Sequence, residues 1–390
     1  LLGAMFTSEY AIEGAARCNR SIVADPDQSG LSAGTLRFVM SVRGIGEGHR
    51  SSIGFRTGVV DSAGHPSVDQ CASVATVGTT GPGLLDSEVF RVELARLDDA
   101  GEAADYVLGA LDDRFTRADL DRRLGELQTS LSTRGRAQET IAEIQAIAER
   151  AYAIEFPSET ALSERVLFPA MPAEEAGMED ARFVRFTDDD GSVTFYATYT
   201  AYSGSKIRQQ LLETRDFRSF VSTPMVGIAA ANKGLALFPR RIGGRFAALS
   251  RSDRESNSIA YSDRPFVWTS AVPCQQPVEA WETLQLGNCG PPIETDAGWL
   301  VLTHGVGPMR TYRIGAILLD LDDPTTIIGR LRKPLLSPAD DEQNGYVPNV
   351  VYSCGALVHA DTLVLPYGIG DAAIGLAAVS LPLLLDALVR

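Results

Sequence analysis

The strongest constraint on the fold of this chain is a recurrence of strand-like runs. Phe38-Val39-Met40, Phe195-Tyr196-Ala197-Thr198-Tyr199, Phe246-Ala247-Ala248-Leu249, Trp299-Leu300-Val301-Leu302 and Leu363-Val364-Leu365 each follow a Gly, Thr or acidic turn, and a second such run follows each of them. The spacing is 51 residues from Phe195 to Phe246, 53 from Phe246 to Trp299 and 64 from Trp299 to Leu363. A unit of about 50 residues with several strands is the mark of a β-propeller, not of a sandwich or a doubly wound sheet. Five starts predict an all-β, five-bladed β-propeller forming one domain over residues 1–390. A chain of this length is either such a repetitive architecture or two ordinary domains.

The interval from Phe38 to Phe195 is far too long for one blade. Within it Leu120, Leu124, Leu127, Ile141, Ile144, Ile147 and Ala148 recur at three- and four-residue steps among Arg, Glu and Gln. That is the period of an amphipathic helix, so a helical hairpin is predicted at about 113–154, inserted between the first two blades, with its turn at Ser130 to Gly135. A short terminal helix is predicted from Leu381 to Leu388.

A formal charge of -15 argues against nucleic acid or an anionic membrane surface as partner, because both need clustered Lys and Arg. The five cysteines (Cys18, Cys71, Cys274, Cys289, Cys354) stand singly, without C-x-x-C or His at ligand spacing, so neither a metal site nor a disulfide framework is expected. No leader pattern is expected, and a cytoplasmic location follows as the default. Self-association is left open.

Propeller ligands bind where the inner strands converge, so site residues are expected from several blades at similar positions. The second blade offers Glu179, Asp180 and Arg182; the third Lys233, Arg251, Asp253 and Glu255; the fourth Glu294 and His304; the fifth Asp371. An acid with a second acid and an arginine beside it, where a loop becomes a strand, is how a carboxyl is held with its ionisation controlled. Tyr199, Tyr202 and Tyr352 are aromatic candidates for stacking on a ligand, and most propeller tyrosines are simply core.

Several motifs in one order carry a resemblance. Glu179-Asp180-x-Arg182, Asn232-Lys233-x-x-Ala236-Leu237-Phe238-Pro239, Pro291-Pro292-Ile293 before Gly298-Trp299-Leu300, Thr303-His304-Gly305, and Val347-Pro348-Asn349-Val350-Val351-Tyr352 resemble glycoside hydrolase family 130. The resemblance implies a five-bladed propeller acting on β-mannosides by phosphorolysis or hydrolysis, with Asp180 as the single proton donor and Glu179 and Arg182 holding it. His49 and Arg56 fall in a segment that the family uses near the sugar. His304 is expected to orient a base, to bind a sugar hydroxyl, or to be an inner-strand histidine satisfied by its neighbours. The chain departs from the family at Arg20, where Pro is usual, and at Gly234, where an acid is common after the lysine.

The family's phosphorylases usually carry Lys where this chain has Glu294. A carboxylate in a phosphate cradle repels the nucleophile by about 4 kcal/mol per charge pair at ~4 Å and an effective dielectric of ~20. The sequence is therefore read as that of an inverting exo-glycosidase hydrolysing β-mannosides, β-1,2-linked first. Asp180 is the acid and Glu294 or Glu255 the base for water, with Lys233 and Arg251 paired to those acids. The first alternative is a β-mannoside phosphorylase releasing mannose 1-phosphate. The second is a carbohydrate-binding propeller without catalysis. No cofactor is expected, apart from inorganic phosphate under the first alternative.

Overall fold

The computed structural model describes residues 11–96, 101–130, 135–343 and 345–388, in a mostly-β fold with few helices. The strands fall into five antiparallel groups that follow the chain. The first comprises Ala16–Ala24, Leu36–Ile45 and Ser51–Val60; the second Gly177–Thr187, Val193–Tyr202, Ile207–Thr214 and Ser219–Pro224. The third runs from Ala236–Leu237 to Ala271–Gln275, the fourth from Gln285–Asn288 to Ile327–Arg330, and the fifth from Val351–Tyr352 to Ala373–Ser380. The five runs read in the sequence lie in Leu36–Ile45, Val193–Tyr202, Phe246–Ser250, Gly298–Gly307 and Thr362–Ile369. Each of these strands sits inside its group with hydrogen-bonded neighbours on both sides, which is why it reads as apolar over its length.

Adjacent groups pack through large side chains. Between the first and second, Phe55 stacks on Phe220 with ring centroids 5.8 Å apart, and Phe183, Phe195 and Phe217 fill the same core. Phe186 stacks on Phe246 at 5.0 Å between the second and third, and Phe238 meets Trp299 edge-on at 5.0 Å between the third and fourth. The fourth meets the fifth where the Tyr312 N–H donates to Asn349 O at 2.9 Å. The fifth returns to the first: the Cys354 N–H donates to Arg20 O at 2.7 Å, and Arg20 Nη1 to Tyr367 O at 3.3 Å.

One close approach sets the geometry used below. Gly177 pairs in parallel with Ser51, joining the first two groups into a 12-stranded sheet. At φ 140°, with Ser51 N 2.6 Å from where a Cβ would stand, only glycine lets these two backbones meet. The Glu179-Asp180 segment is thereby held beside the end of Leu36–Ile45.

The helical region differs from its expectation. Helices occupy Ser87–Leu94, Gly101–Leu108, Arg117–Ser130 and Gly135–Ala148, so the region begins well before 113, and the chain is not all-β. The two earlier helices are eight residues each, about two turns, too short for their apolar positions to stand out as a period. Their Val89, Phe90, Leu94, Val107 and Leu108 share one core with Leu120, Leu124, Leu127, Ile141, Ile144 and Ile147. At the far end Tyr152–Glu155, expected within the hairpin, is a strand pairing with Ser219–Pro224. The turn expected at Ser130 to Gly135 falls on 131–134, outside the described residues. The terminal helix spans Leu381–Ala387. No helix among the described residues is long and apolar enough to cross a membrane.

Candidate active site

All five groups contribute to a cavity of about 390 Å³ whose lining includes Asn19, Asp180, Asn232, Lys233, Arg251, Arg254, His304, Arg310, Tyr312, Tyr352 and Asp371. Asp180 enters it from a β-bulge. The register of Gly177–Thr187 against Val193–Tyr202 shifts between Glu179 and Arg182, and Asp180 takes the left-handed φ of 57°. A non-glycine residue there is strained by about 1–3 kcal/mol and persists only where its surroundings impose it. Two contacts do so: Arg182 Nη1 donates to the Asp180 carbonyl at 3.0 Å, and the Asn19 side-chain amide donates to Asp180 Oδ1. Asn19 sits at a bulge of its own with φ 48°.

Charges around Asp180 form a chain. Arg43 Nη2 donates to Glu179 Oε1 at 2.6 Å, its Nη1 lies 3.4 Å from Asp180 Oδ1, and its Nε donates to Ser51 Oγ at 3.0 Å. The Lys233 ammonium pairs with the other oxygen of Glu179. Burial alone raises the Asp180 carboxyl, but Arg43, Lys233, Arg182 and the Asn19 amide outweigh it and hold the group below the ordinary carboxylate range. Asp371, which also lines the cavity, moves the other way, because burial and the neighbouring Asp180 and Glu179 outweigh Arg43 and Arg20.

The opposite wall is cationic. Arg251 donates from Nε and Nη2 to the Arg254 carbonyl at 3.2 and 3.1 Å, and its Nη1 lies 3.5 Å from His304 Nε2. Arg254 Nε donates to Asn232 Oδ1 at 2.8 Å. Among the described residues neither arginine has a carboxylate partner in an ion pair. Burial, then Arg251 and Arg182, push the His304 imidazole well below its usual range, so it stands neutral. With Nδ1 3.1 Å from Asn288 O, the proton is assigned to Nδ1, leaving the Nε2 lone pair toward Arg251.

Gly287 makes this packing possible. A Cβ there would lie 2.5 Å from His304 Cε1 and 2.7 Å from Arg251 Cδ. Gly287→Ala is therefore expected to push both side chains from the wall and weaken binding of an anion about tenfold, or ~1.4 kcal/mol, by titration calorimetry with inorganic phosphate. Unchanged affinity would show that the wall tolerates the displacement.

The other candidates are distributed as follows. Lys233 pairs with Glu179, and Arg251 with a carbonyl and an imidazole, not with Glu255 or Glu294. Glu294 is 42% exposed and makes a bidentate pair with Arg240, Nη2 to Oε1 at 2.6 Å and Nε to Oε2 at 2.9 Å. It stands opposite Trp299, while His304 lies five residues further along the same strand, about 17 Å away at ~3.4 Å per residue. Glu294 does not line the cavity that holds Asp180, so it is not placed to face that carboxyl as the second acid of an inverting hydrolase. Glu255 is exposed in the turn that Asp253 closes by accepting from the Glu255 and Ser256 N–H groups at 3.0 Å, and it does not line the cavity.

Arg56 is clamped by Glu13, with contacts of 2.7 and 2.6 Å, and His49 Nδ1 lies 2.6 Å from the Tyr346 hydroxyl; neither lines the cavity. Tyr199 is fully buried, bonded to Glu174 and to Ser222 Oγ at 3.0 Å, and cannot stack on a sugar. The Tyr202 hydroxyl donates to Gly204 O at 2.7 Å. Arg43, Arg254 and Tyr312 were not singled out in the sequence, and Asn232 entered only as part of a motif. Arg43 had a local signal, a charge at the end of an otherwise apolar strand.

Comparison with known proteins adds to this geometry. The sequence model Glyco_hydro_130, described as β-1,4-mannooligosaccharide phosphorylase, matches residues 139–390. A 1,2-β-oligomannan phosphorylase of Thermoanaerobacter sp. (strain X514) is 34% identical over 209 residues, 53% of this chain and 69% of that protein. A β-1,2-mannobiose phosphorylase of Listeria innocua is 33% identical over 218 residues, 53% of this chain and 58% of its own length, so the match spans little more than half of that relative. In structure, the chain is similar to a β-1,2-mannobiose phosphorylase of Listeria innocua in complex with β-1,2-mannobiose, with TM-score 0.58 and 20% identity over 98% of this chain and 94% of that one. A structure described with glycoside hydrolases that target β-1,2 mannosidic linkages in Candida mannan aligns with TM-score 0.57 and 18% identity, over 96% of this chain and 87% of that one. At these identities the structural likeness speaks for the fold.

Proposed function

The chain belongs to glycoside hydrolase family 130, and on that premise we propose that it is a β-mannoside phosphorylase, most directly for β-1,2-linked manno-oligosaccharides, built as a single five-bladed propeller with a helical insertion. Five antiparallel groups, each packed on the next and the last on the first, support the propeller. The observation that carries the activity is the Arg251–Arg254–His304 wall. It holds two guanidinium groups without carboxylate partners among the described residues, which suits the dianionic form of phosphate. The hydrolytic expectation required a carboxylate there, and neither Glu294 nor Glu255 reaches the cavity.

In this reading phosphate bound on the cationic wall attacks the anomeric carbon from the face opposite the leaving oxygen. The bond from that carbon to the glycosidic oxygen breaks, and one to a phosphate oxygen forms. Asp180 supplies the proton that the leaving oxygen needs, and the inversion yields α-mannose 1-phosphate with a shortened oligosaccharide.

Incubation with β-1,2-mannobiose tests the reading. Mannose 1-phosphate is expected only when inorganic phosphate is present, and Glu294→Gln is expected to keep turnover within about twofold, since its only role in the structure is an exposed ion pair. Free mannose formed equally fast without phosphate would restore hydrolysis, and binding without turnover would leave a sugar-binding propeller.

A further inference from the structure

Tyr352 stands between the proton donor and the cationic wall. Its hydroxyl accepts from Arg182 Nη2 at 2.8 Å, and the same guanidinium donates from Nη1 to the Asp180 carbonyl. On its other side the ring meets His304 edge-on, with centroids 4.9 Å apart, and Tyr312 at 6.4 Å. Arg182 and Tyr352 are both buried, yet Tyr352 lines the cavity. A phenolic hydroxyl has one hydrogen to donate besides its lone pairs. Here a lone pair is occupied by Arg182, and among the described residues the hydrogen has no acceptor. A buried donor left unmade costs about 1–3 kcal/mol, so a hydroxyl placed in this way is completed by what enters the cavity.

We propose that Tyr352 is a positioning residue that donates its hydroxyl hydrogen to an oxygen of the bound phosphate, and through Arg182 ties the Asp180 bulge to occupation of the nucleophile site. The inference rests on the phosphorylase reading. Phosphate is the ligand because the Tyr352 ring packs edge-on against His304, and His304 lies beside Arg251, on the wall whose two guanidinium groups have no carboxylate partner among the described residues. Burial raises the phenol far above its ordinary range, in spite of Arg182, so the hydrogen is present at every working pH. The bridge has two consequences. An anion that draws on the Tyr352 hydrogen strengthens that oxygen as an acceptor for Arg182, since hydrogen bonds in a chain polarise one another. Arg182 is one of the two contacts that hold Asp180 in its left-handed conformation, so the proton donor is best placed when the nucleophile is bound.

The test is Tyr352→Phe, which removes one oxygen and leaves the ring to pack. The expected result is a rise of about tenfold in KM for phosphate and a fall of about tenfold in kcat, with KM for β-1,2-mannobiose within about twofold. A role in folding alone would lower the melting temperature and leave this split absent. If the variant melts too low for assay, the rise of melting temperature with inorganic phosphate reads the same affinity: a tenfold weaker site reaches a given rise at tenfold more phosphate. Equal phosphate dependence in both proteins overturns the proposal. Wild-type protein whose melting temperature ignores phosphate, and whose turnover does not need it, overturns the phosphorylase reading beneath it.

Discussion

Asp180→Asn is expected to lower kcat for phosphorolysis by ~10³-fold or more, about 4 kcal/mol, while KM for phosphate stays within about threefold. The exchange keeps the size of the side chain and an oxygen able to accept from Asn19 and Arg43, so the bulge is retained. What it removes is the only group at this position that can carry a proton to the leaving oxygen. Parallel progress curves for mannose 1-phosphate check it. A fall of tenfold or less would assign the proton to another group.

The resting charge of Asp180 adds a second reading of the same variant. Arg43, Lys233 and Arg182 hold the carboxyl ionised in the free enzyme, which is the wrong state for an acid. Phosphate arriving on the Arg251 wall brings negative charge into the same cavity. Negative charge placed near the carboxyl disfavours its ionised form and raises it. The alkaline limb of kcat, which reports the bound enzyme, is therefore expected at higher pH than that of kcat/KM, and both limbs should vanish in Asp180→Asn. Coincident limbs would mean that phosphate does not tune the donor.

Much of the architecture was readable because strands buried on both sides leave an apolar run at a fixed interval, and Phe246, Trp299 and Leu363 recur for that reason. Asp180 was readable because its partner Arg182 lies two residues away. The partners that decide its charge were not. Arg43 and Lys233 come from 137 and 53 positions away and meet it only through the Gly177–Ser51 approach and the turn after Ile228–Ala230. Glu294 was misjudged for the converse reason. Its position in a motif suggested the site, but it belongs to the hairpin at the far end of a ten-residue strand from His304, and Arg240, stacked over Trp299 at 4.9 Å, absorbs its charge. A motif preserves order along the chain and says nothing of which end of a strand reaches the cavity.

Arg251 is where that lesson has its largest consequence after Asp180. Its guanidinium is mostly buried, and among the described residues its one polar contact beyond the local turn is His304 at 3.5 Å; burial lowers its affinity for a proton without approaching neutrality at working pH. Two charge-assisted hydrogen bonds to a phosphate, at about 1.5 kcal/mol each, give about 3 kcal/mol, or ~150-fold in affinity. Arg251→Met keeps most of the apolar stem against Gly234 and Gly287 and removes those donors. It is expected to raise KM for phosphate by ~10²-fold while KM for β-1,2-mannobiose changes by less than about threefold, because the proposed reading puts the sugar at Asp180 and the phosphate at Arg251. Arg251→Lys is expected to recover only part of the loss, since an ammonium cannot span two phosphate oxygens in a fixed plane. Initial rates at varied phosphate, with mannobiose saturating, decide it. If Arg251→Met instead raises KM for mannobiose and leaves phosphate untouched, the cationic wall holds the sugar, and the nucleophile must be sought elsewhere in the cavity.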